Sequence, residues 1–210
     1  MEEYTKEQLE QMVKEGKSLA GIDLSFAELQ GIDLSGADLS DATFTGADLT
    51  GANLEGANLE NAFIADANFK DANFKNANLS RAVLQRVNLR NADFSNANLF
   101  RSQILVSDAA KANFENANMV NIRMEDSNFV EANFNGADIS YSNLRGADLQ
   151  KSSFVKTKFS YSDLRKAKLS GIWFENVEAD EVLVYGKKPW IEGSKANVEY
   201  DKILPHNYDD

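Results

Sequence analysis

Residues 37–61 read ADLSD ATFTG ADLTG ANLEG ANLEN, which is five consecutive copies of one five-residue pattern. Each copy begins with alanine, continues with a polar residue, has leucine or phenylalanine at its centre and ends with two polar or small residues. The same register extends outward from Leu24 to Phe174 as 31 consecutive units without an insertion. An internal repeat of this kind determines the fold class before local propensities are considered.

A period of five fits neither the 3.6-residue turn of an α-helix nor the two-residue alternation of a β-strand. A chain that turns a corner every five residues does keep all central residues on one side. Four such corners close a square coil of about 20 residues, in which the central residues point inward and the alanines fit where the walls crowd. Stacked coils bury for one another the apolar faces that one coil cannot bury alone, so the sequence predicts a solenoid.

This pattern resembles the pentapeptide-repeat family, whose consensus is alanine, aspartate or asparagine, leucine or phenylalanine, and two polar residues. Matching copies are Ala37–Asp41, Ala52–Gly56 and Ala72–Asn76, and the match extends from about residue 22 to residue 177. The resemblance implies an all-β fold, a right-handed quadrilateral β-helix. It implies much less about function.

The columns formed at 20-residue spacing differ in composition. One column carries six successive phenylalanines, namely Phe74, Phe94, Phe114, Phe134, Phe154 and Phe174, whereas the column that begins at Leu39 is aliphatic for most of its length. Close packing between successive coils would select such columns, so this composition favours four repeats per coil over three or five.

A solenoid exposes its apolar column at both ends and needs caps. The segment Thr5–Gln8 has the capping-box pattern, and apolar residues follow it at helical spacing, so the sequence predicts a helix over residues 5–15. We therefore expect residues 1–20 to form an N-terminal helical cap.

The C-terminal end is less regular. After Phe174 the five-residue phase fades, and an apolar cluster around Trp190 either caps the last coil or joins two chains into a dimer. We expect the β-helix over residues 21–178 and a C-terminal cap and tail over residues 179–210. The chain is then a monomer or a homodimer joined through its C-terminal residues.

The composition excludes several classes of function. The chain has 22 basic and 33 acidic residues, a net charge of -11, which repels nucleic acids and anionic membranes. It lacks cysteine, which fits a reducing cytoplasm, and its single histidine is His206 in the C-terminal tail. Thiol or histidine catalysis and the usual metal sites therefore lack their residues. We expect no enzyme activity, no cofactor or metal, no direct nucleic-acid or membrane binding, and a cytoplasmic location.

The charges are segregated along the chain. Residues 21–69 contain nine acidic and no basic residues, whereas residues 144–169 contain seven basic and two acidic residues. The resemblance includes relatives that protect DNA gyrase by imitating duplex DNA. Across residues 21–177, however, the net charge is -5. Over a rod of about 37 Å, this is far below the roughly one charge per 1.7 Å of duplex DNA. Because the charge density is too low for the whole rod to imitate DNA, a DNA-mimicking topoisomerase (gyrase) modulator is the alternative function and not the preferred one.

Five apolar residues occupy positions where the repeat expects polar ones: Phe63, Val83, Phe100, Leu105 and Val106. Apolar residues on a solvent-facing wall often mark a partner site. The alternative is that the undersized central residue Ala109 distorts its coil and draws these side chains inward. We expect a protein-binding surface here, with Arg81, Arg86 and Arg101 as a polar rim that selects an acidic partner. The preferred function is a non-catalytic protein-binding scaffold.

Overall fold

The computed structural model describes residues 4–185, which form a right-handed quadrilateral β-helix with one short helix at its N-terminal end. The predicted fold class is confirmed. Helix α1 spans Lys6–Lys14, and the strands are β1 (Phe63–Ala65), β2 (Val83–Gln85), β3 (Gln103–Leu105), β4 (Ser153–Val155) and β5 (Trp173–Glu175). Strands β1, β2 and β3 form one parallel sheet, and β4 and β5 form a second.

Each coil contains 20 residues, because parallel pairing joins residues 20 apart throughout the described chain. Asp38 pairs with Asn58, for example, and Asn58 pairs with Asn78. The amide of Asn58 donates to the carbonyl of Ala37 at 2.9 Å, and the amide of Leu39 donates to the carbonyl of Asn58 at 2.7 Å. Most walls pair through isolated residues because a corner follows every five residues.

The corners are four-residue turns with one residue at positive φ. The amide of Ala52 donates to the carbonyl of Leu49 at 3.0 Å, and Gly51 between them has φ +68°. Turns of this type favour glycine or asparagine at that position. Gly46 has a second reason to be glycine: the ring of Phe26 from the preceding coil lies 2.6 Å from where a Cβ would stand.

The core is a continuous column along the axis, and all 31 central residues are buried. The phenylalanine column is stacked as predicted: the ring centroids of Phe114 lie 5.0 Å from Phe94 and 5.1 Å from Phe134, with nearly parallel planes. Where serine replaces alanine in the repeat, its hydroxyl bonds the backbone. Ser142 Oγ donates to the carbonyl of Met119 at 3.1 Å, which removes the cost of burying the hydroxyl.

Helix α1 covers the N-terminal end of the column. Thr5 and Gln8 form the predicted capping box, and Gly16 at φ +68° ends the helix. Leu9 is fully buried against the core. Glu10 Oε1 accepts from the amide of Asp33 at 3.1 Å, and Lys6 Nζ donates to the carbonyl of Gln30 at 3.0 Å. These side chains bond backbone groups that an earlier coil would otherwise satisfy.

The ladder continues at the other end as far as Leu183, which pairs with Asp163. Val182 is buried there, so the coil geometry extends a few residues beyond the loss of phase at Phe174. The division of the chain at residue 178 stays a prediction. Trp190, His206 and the expected dimer contact lie outside the described residues. Within the described part of the chain, no helix is long and apolar enough to cross a membrane.

Candidate functional site

Phe63 and Val83 lie side by side on the outer surface of the wall that carries β1, β2 and β3. The register pairs Phe63 with Val83, and Val83 with Gln103. The side chain of Phe63 is 44% exposed, and Val83 is half-buried. The structure therefore brings these two predicted site residues together in adjacent coils, about 4.8 Å apart.

The strands of this wall differ from the regular repeat at the second repeat position. In a regular repeat, aspartate or asparagine there accepts the amide of the residue two positions later, as Asn98 does from Phe100 at 3.2 Å. Such a bond bends the chain into a turn. All five strands begin at a residue other than aspartate or asparagine. Phe63 and Val83 thus lack this acceptor and expose apolar surface, although the same lack at Thr43 and Arg123 leaves only isolated bridges.

Leu105 and Val106 lie on the far side of the same wall. Leu105 pairs with Gln85, so it lies two residues further along the strand direction than Phe63 and Val83 do. Leu105 is half-buried, whereas Val106 occupies the corner and is 58% exposed. Gln85 separates the two apolar pairs.

Phe100 lies on the neighbouring wall, across the corner that Arg101 occupies. The carbonyl of Phe100 accepts from the amide of Arg81 at 2.9 Å, and the carbonyl of Val120 accepts from the amide of Arg101 at 3.0 Å. Phe100 and Val120 therefore stack in successive coils, and both are half-buried. This third apolar pair flanks the Arg101 corner on the side opposite to Phe63 and Val83.

The coil around Ala109 is regular. Ile104 and Ala109 are both fully buried, and their amides each donate to the next coil at 2.7 Å. The small central residue Ala109 therefore does not draw the outer side chains inward. All five predicted site residues have exposed or half-buried side chains on the outside of the rod.

Val106 has an unusual backbone conformation, with φ +52°. A β-branched residue in this region is a genuine outlier, because its Cβ substituents crowd the backbone. Asparagine occupies several equivalent corners, including Asn61, Asn91 and Asn116. Val106 thus combines strain with exposed apolar surface.

The arginines around the apolar residues differ in their partners. Arg86 forms two hydrogen bonds to Asp66, at 2.6 and 2.7 Å, and Arg81 contacts Glu60 at 3.3 Å. Arg101 instead stacks on its neighbour Phe100, with Cζ 5.0 Å from the ring centroid. Of the three arginines predicted as a polar rim, two are thus paired with carboxylates, and Arg101 has no carboxylate partner within residues 4–185. The pairing of Asp66 with Arg86 could have been found in the sequence, since the two residues are one coil apart.

Tyr141 and Tyr161 extend the same corner line towards the C-terminus. Their rings stack at 5.0 Å with planes 8° apart, and their side chains are 58% and 54% exposed. The 20-residue spacing signals this stack in the sequence, and the structure adds that it lies in line with Arg101, two coils away.

Carboxylates in the acidic coils accept local hydrogen bonds that lower their pKa values. Donation from the hydroxyls of Ser18 and Ser40 keeps the pKa of the Asp38 carboxyl below its usual value, and Ser35 has the same effect on the pKa of Asp33. These carboxylates follow the repeat around the rod instead of converging. Within residues 4–185, no group of histidine, aspartate and glutamate could hold a metal ion.

Comparison of the fold with solved structures places the chain among related solenoids. A trypsin-treated variant of QnrB1, a plasmid-mediated fluoroquinolone resistance protein, is 22% identical, covers 77% of this chain and 84% of its own, and has a TM-score of 0.52. HetL, a pentapeptide repeat protein involved in heterocyst differentiation regulation from the cyanobacterium Nostoc, is 19% identical, covers 92% of this chain and 100% of its own, and has a TM-score of 0.40. At 22% identity, the likeness to the QnrB1 variant shows a shared fold alone.

Comparison of the sequence gives the family. No curated protein matches the chain. The model of the family described as pentapeptide repeats matches eight copies, over residues 22–61, 67–102, 110–146 and 132–171. These segments cover more than half of the chain, in the register that the hydrogen-bond ladder follows. The chain therefore belongs to the pentapeptide repeat family.

Proposed function

We propose that this chain is a non-catalytic protein-binding scaffold of the cytoplasm, acting as a monomer or as a homodimer joined through its C-terminal residues. Its partner binds the outer apolar surface, which consists of Phe63, Val83, Phe100, Leu105 and Val106.

The observation that carries this proposal is the conformation of Val106. Every corner of the described rod has a positive φ, so the repeat imposes this conformation, and Val106 stands out because it is β-branched. A β-branched side chain held in this region costs about 1–3 kcal/mol. Val106 is 58% exposed at φ +52°, so the folded chain gains little from it that asparagine would not provide. Contact with a partner is a reason to keep valine there.

The exposed ring of Phe63 supports the same surface. Phe63 is 44% exposed on the sheet of β1, β2 and β3, next to Val83 in the adjacent coil. An exposed aromatic ring beside a second apolar side chain suits protein interfaces, whose buried centres are rich in aromatic residues and poor in charge.

The test is affinity capture from the native host with the double variant Phe63→Ser and Leu105→Ser. We expect this variant to lose the captured partner while its folded state persists. The matched control is the double variant Val155→Ser and Trp173→Ser on the opposite wall, which should retain capture. Capture that survives the first double variant would refute the proposed surface.

A DNA-mimicking modulator of a topoisomerase such as gyrase is the second candidate, favoured by the acidic coils. The carboxyl groups of Asp23, Asp33 and Asp38 are charged at neutral pH, as aspartates ordinarily are, and hydrogen bonds from serine lower their pKa values further. The assay is DNA supercoiling by a topoisomerase with and without fluoroquinolone. A change in supercoiling that is lost on replacing these aspartates with asparagine would favour this candidate over the scaffold.

A further inference from the structure

One corner of the rod carries a line of side chains in which two arginines are followed by an asparagine and two tyrosines. Its residues lie one coil apart in the order Arg81, Arg101, Asn121, Tyr141 and Tyr161, and all have φ between +58° and +61°. Each side chain therefore projects from the corner in the same way, and neighbours are about 4.8 Å apart. We call Arg81, Arg101, Tyr141 and Tyr161 the arginine–tyrosine edge.

Arg101 has no carboxylate partner among the described residues, in a chain with a net charge of -11. Arg86, Arg90 and Arg123 all form ion pairs, at 2.6, 2.8 and 3.0 Å. Arg81 and Arg101 are neighbours on the corner, and Glu60 neutralises only Arg81. The edge therefore attracts a carboxylate, which an arginine can bind through two hydrogen bonds.

The tyrosine end of the edge is a preformed aromatic platform. Tyr141 and Tyr161 stack with parallel rings and are more than half exposed. Tyrosine offers large contact area at a low cost in conformational entropy, and tyrosine and arginine are enriched among the residues that dominate binding. Phe100 and Val120 adjoin the line beside Arg101 and Asn121, so they add apolar surface at its arginine end and middle.

The spacing of the edge selects the shape of its ligand. Three residues of an α-helix rise about 4.5 Å, close to the coil spacing of about 4.8 Å, whereas same-face residues of a strand are about 6.7 Å apart. Helical positions i, i+3, i+7, i+10 and i+14 stay within about 2 Å of five successive coils. In a strand, by contrast, the distance between same-face residues exceeds the coil spacing, and the offset reaches one whole coil within a few residues.

We propose that the arginine–tyrosine edge binds an acidic amphipathic α-helix of a partner protein. Carboxylates at one end of the helix bind Arg101 and Arg81, and apolar side chains at the other end pack on Tyr141 and Tyr161. The inference rests on the proposed scaffold function, because the edge adjoins Phe63, Val83 and Phe100, and it names the kind of partner.

The test uses a phage-displayed library of 18-residue helices randomised on one face and selected on the full chain. We expect enriched peptides to carry aspartate or glutamate at one end and leucine or phenylalanine at the other. Fluorescence anisotropy with a synthetic enriched peptide should show about tenfold weaker binding, or more, for Arg101→Ala and for Tyr161→Ala. Arg101→Glu should bind a peptide whose acidic residues are replaced by lysine. Lys111→Ala, at another corner, is the control and should bind as the unaltered chain does.

Several outcomes would overturn the inference. These are enriched peptides without acidic residues, no enrichment at all, or binding that Arg101→Ala and Tyr161→Ala leave unchanged. Binding of a fluorescent dT20 oligonucleotide that Arg101→Ala abolishes would assign the edge to single-stranded nucleic acid instead. If native-partner capture is lost with Phe63→Ser and Leu105→Ser but unaffected by Arg101→Ala and Tyr161→Ala, the scaffold function stands and this inference fails. If all these variants retain capture, both fail.

Discussion

Replacing Val106 with asparagine separates folding from binding at the outer apolar surface. Most substitutions in an interface weaken both, so a loss of binding can reflect damage to the fold. Val106→Asn should instead make the chain more stable and the partner complex weaker, because the valine is strained in the free protein. Opposite signs for the two effects would be hard to explain by misfolding.

The expected gain in stability follows from two opposing contributions at Val106. Relief of the left-handed conformation at φ +52° is worth about 1–3 kcal/mol, since asparagine tolerates this region. The side chain is a little under half buried. Because full burial of a valine is worth about 1.5–3 kcal/mol, its loss costs about 1 kcal/mol. We expect a net increase in the free energy of unfolding of about 1 kcal/mol.

The measurement is urea unfolding of both proteins, followed by circular dichroism, together with affinity capture of the native partner. The matched control is Val130→Asn. Val130 is half-buried and does not have a positive φ, so the same exchange relieves no strain and should destabilise the chain by about 1 kcal/mol. Val130 also lies away from the outer apolar surface, so this control should retain capture.

Two results would refute the reasoning. If Val106→Asn destabilises the chain as much as Val130→Asn does, the valine is not strained in the free protein. If Val106→Asn is more stable and still captures the partner, the strain has another origin and Val106 does not belong to the partner site.

Further predictions concern the core, the acidic coils and the cap. Phe114→Ala should lower the free energy of unfolding by about 3–5 kcal/mol, because the buried ring stacks on both sides; a loss below about 1 kcal/mol in urea unfolding would contradict the 20-residue coil. The lowered pKa of Asp38 contributes stability that is present above the unfolded pKa of about 4 and is lost as the pH falls through the folded pKa. Asp38→Asn, which keeps an oxygen for the amide of Ser40, should therefore flatten the acid limb of a plot of urea midpoint against pH, and an unchanged limb would exclude this carboxyl as a source. Thr5→Ala removes the capping box of α1 and should cost about 1 kcal/mol, measured by thermal unfolding; no change would mean that Leu9 and the side-chain bonds of Lys6 and Glu10 hold the helix without it.

The core could be predicted from the sequence residue by residue, because the side of the chain on which a central residue lies depends only on its position in the five-residue count. Leu24 and Phe174 obey this count at the two ends, and Ala109 obeys it although its side chain is small. The capping box at Thr5 could also be predicted from the sequence, since it depends on four consecutive residues.

The site was less predictable because it depends on contacts between coils. The five outer apolar residues were visible as departures from the repeat, but their grouping on either side of Gln85 and of the Arg101 corner requires the register between walls. The strain at Val106 requires a backbone angle. Asp66 and Arg86 lie one coil apart in the sequence, so their ion pair follows from the same 20-residue count that predicts the core.

The 20-residue coil also constrains how such a chain can change length during evolution. Deletion of 20 residues removes one whole coil and leaves every column in line, so the rod shortens and its surfaces keep their relative orientation. Deletion of five residues preserves the core pattern equally well but rotates everything that follows by a quarter turn. A loss of one repeat between Arg101 and Tyr141 would therefore break the arginine–tyrosine edge while sparing the hydrophobic column. The length of the rod can vary among descendants in single repeats, but surfaces that span several coils survive only changes by whole coils.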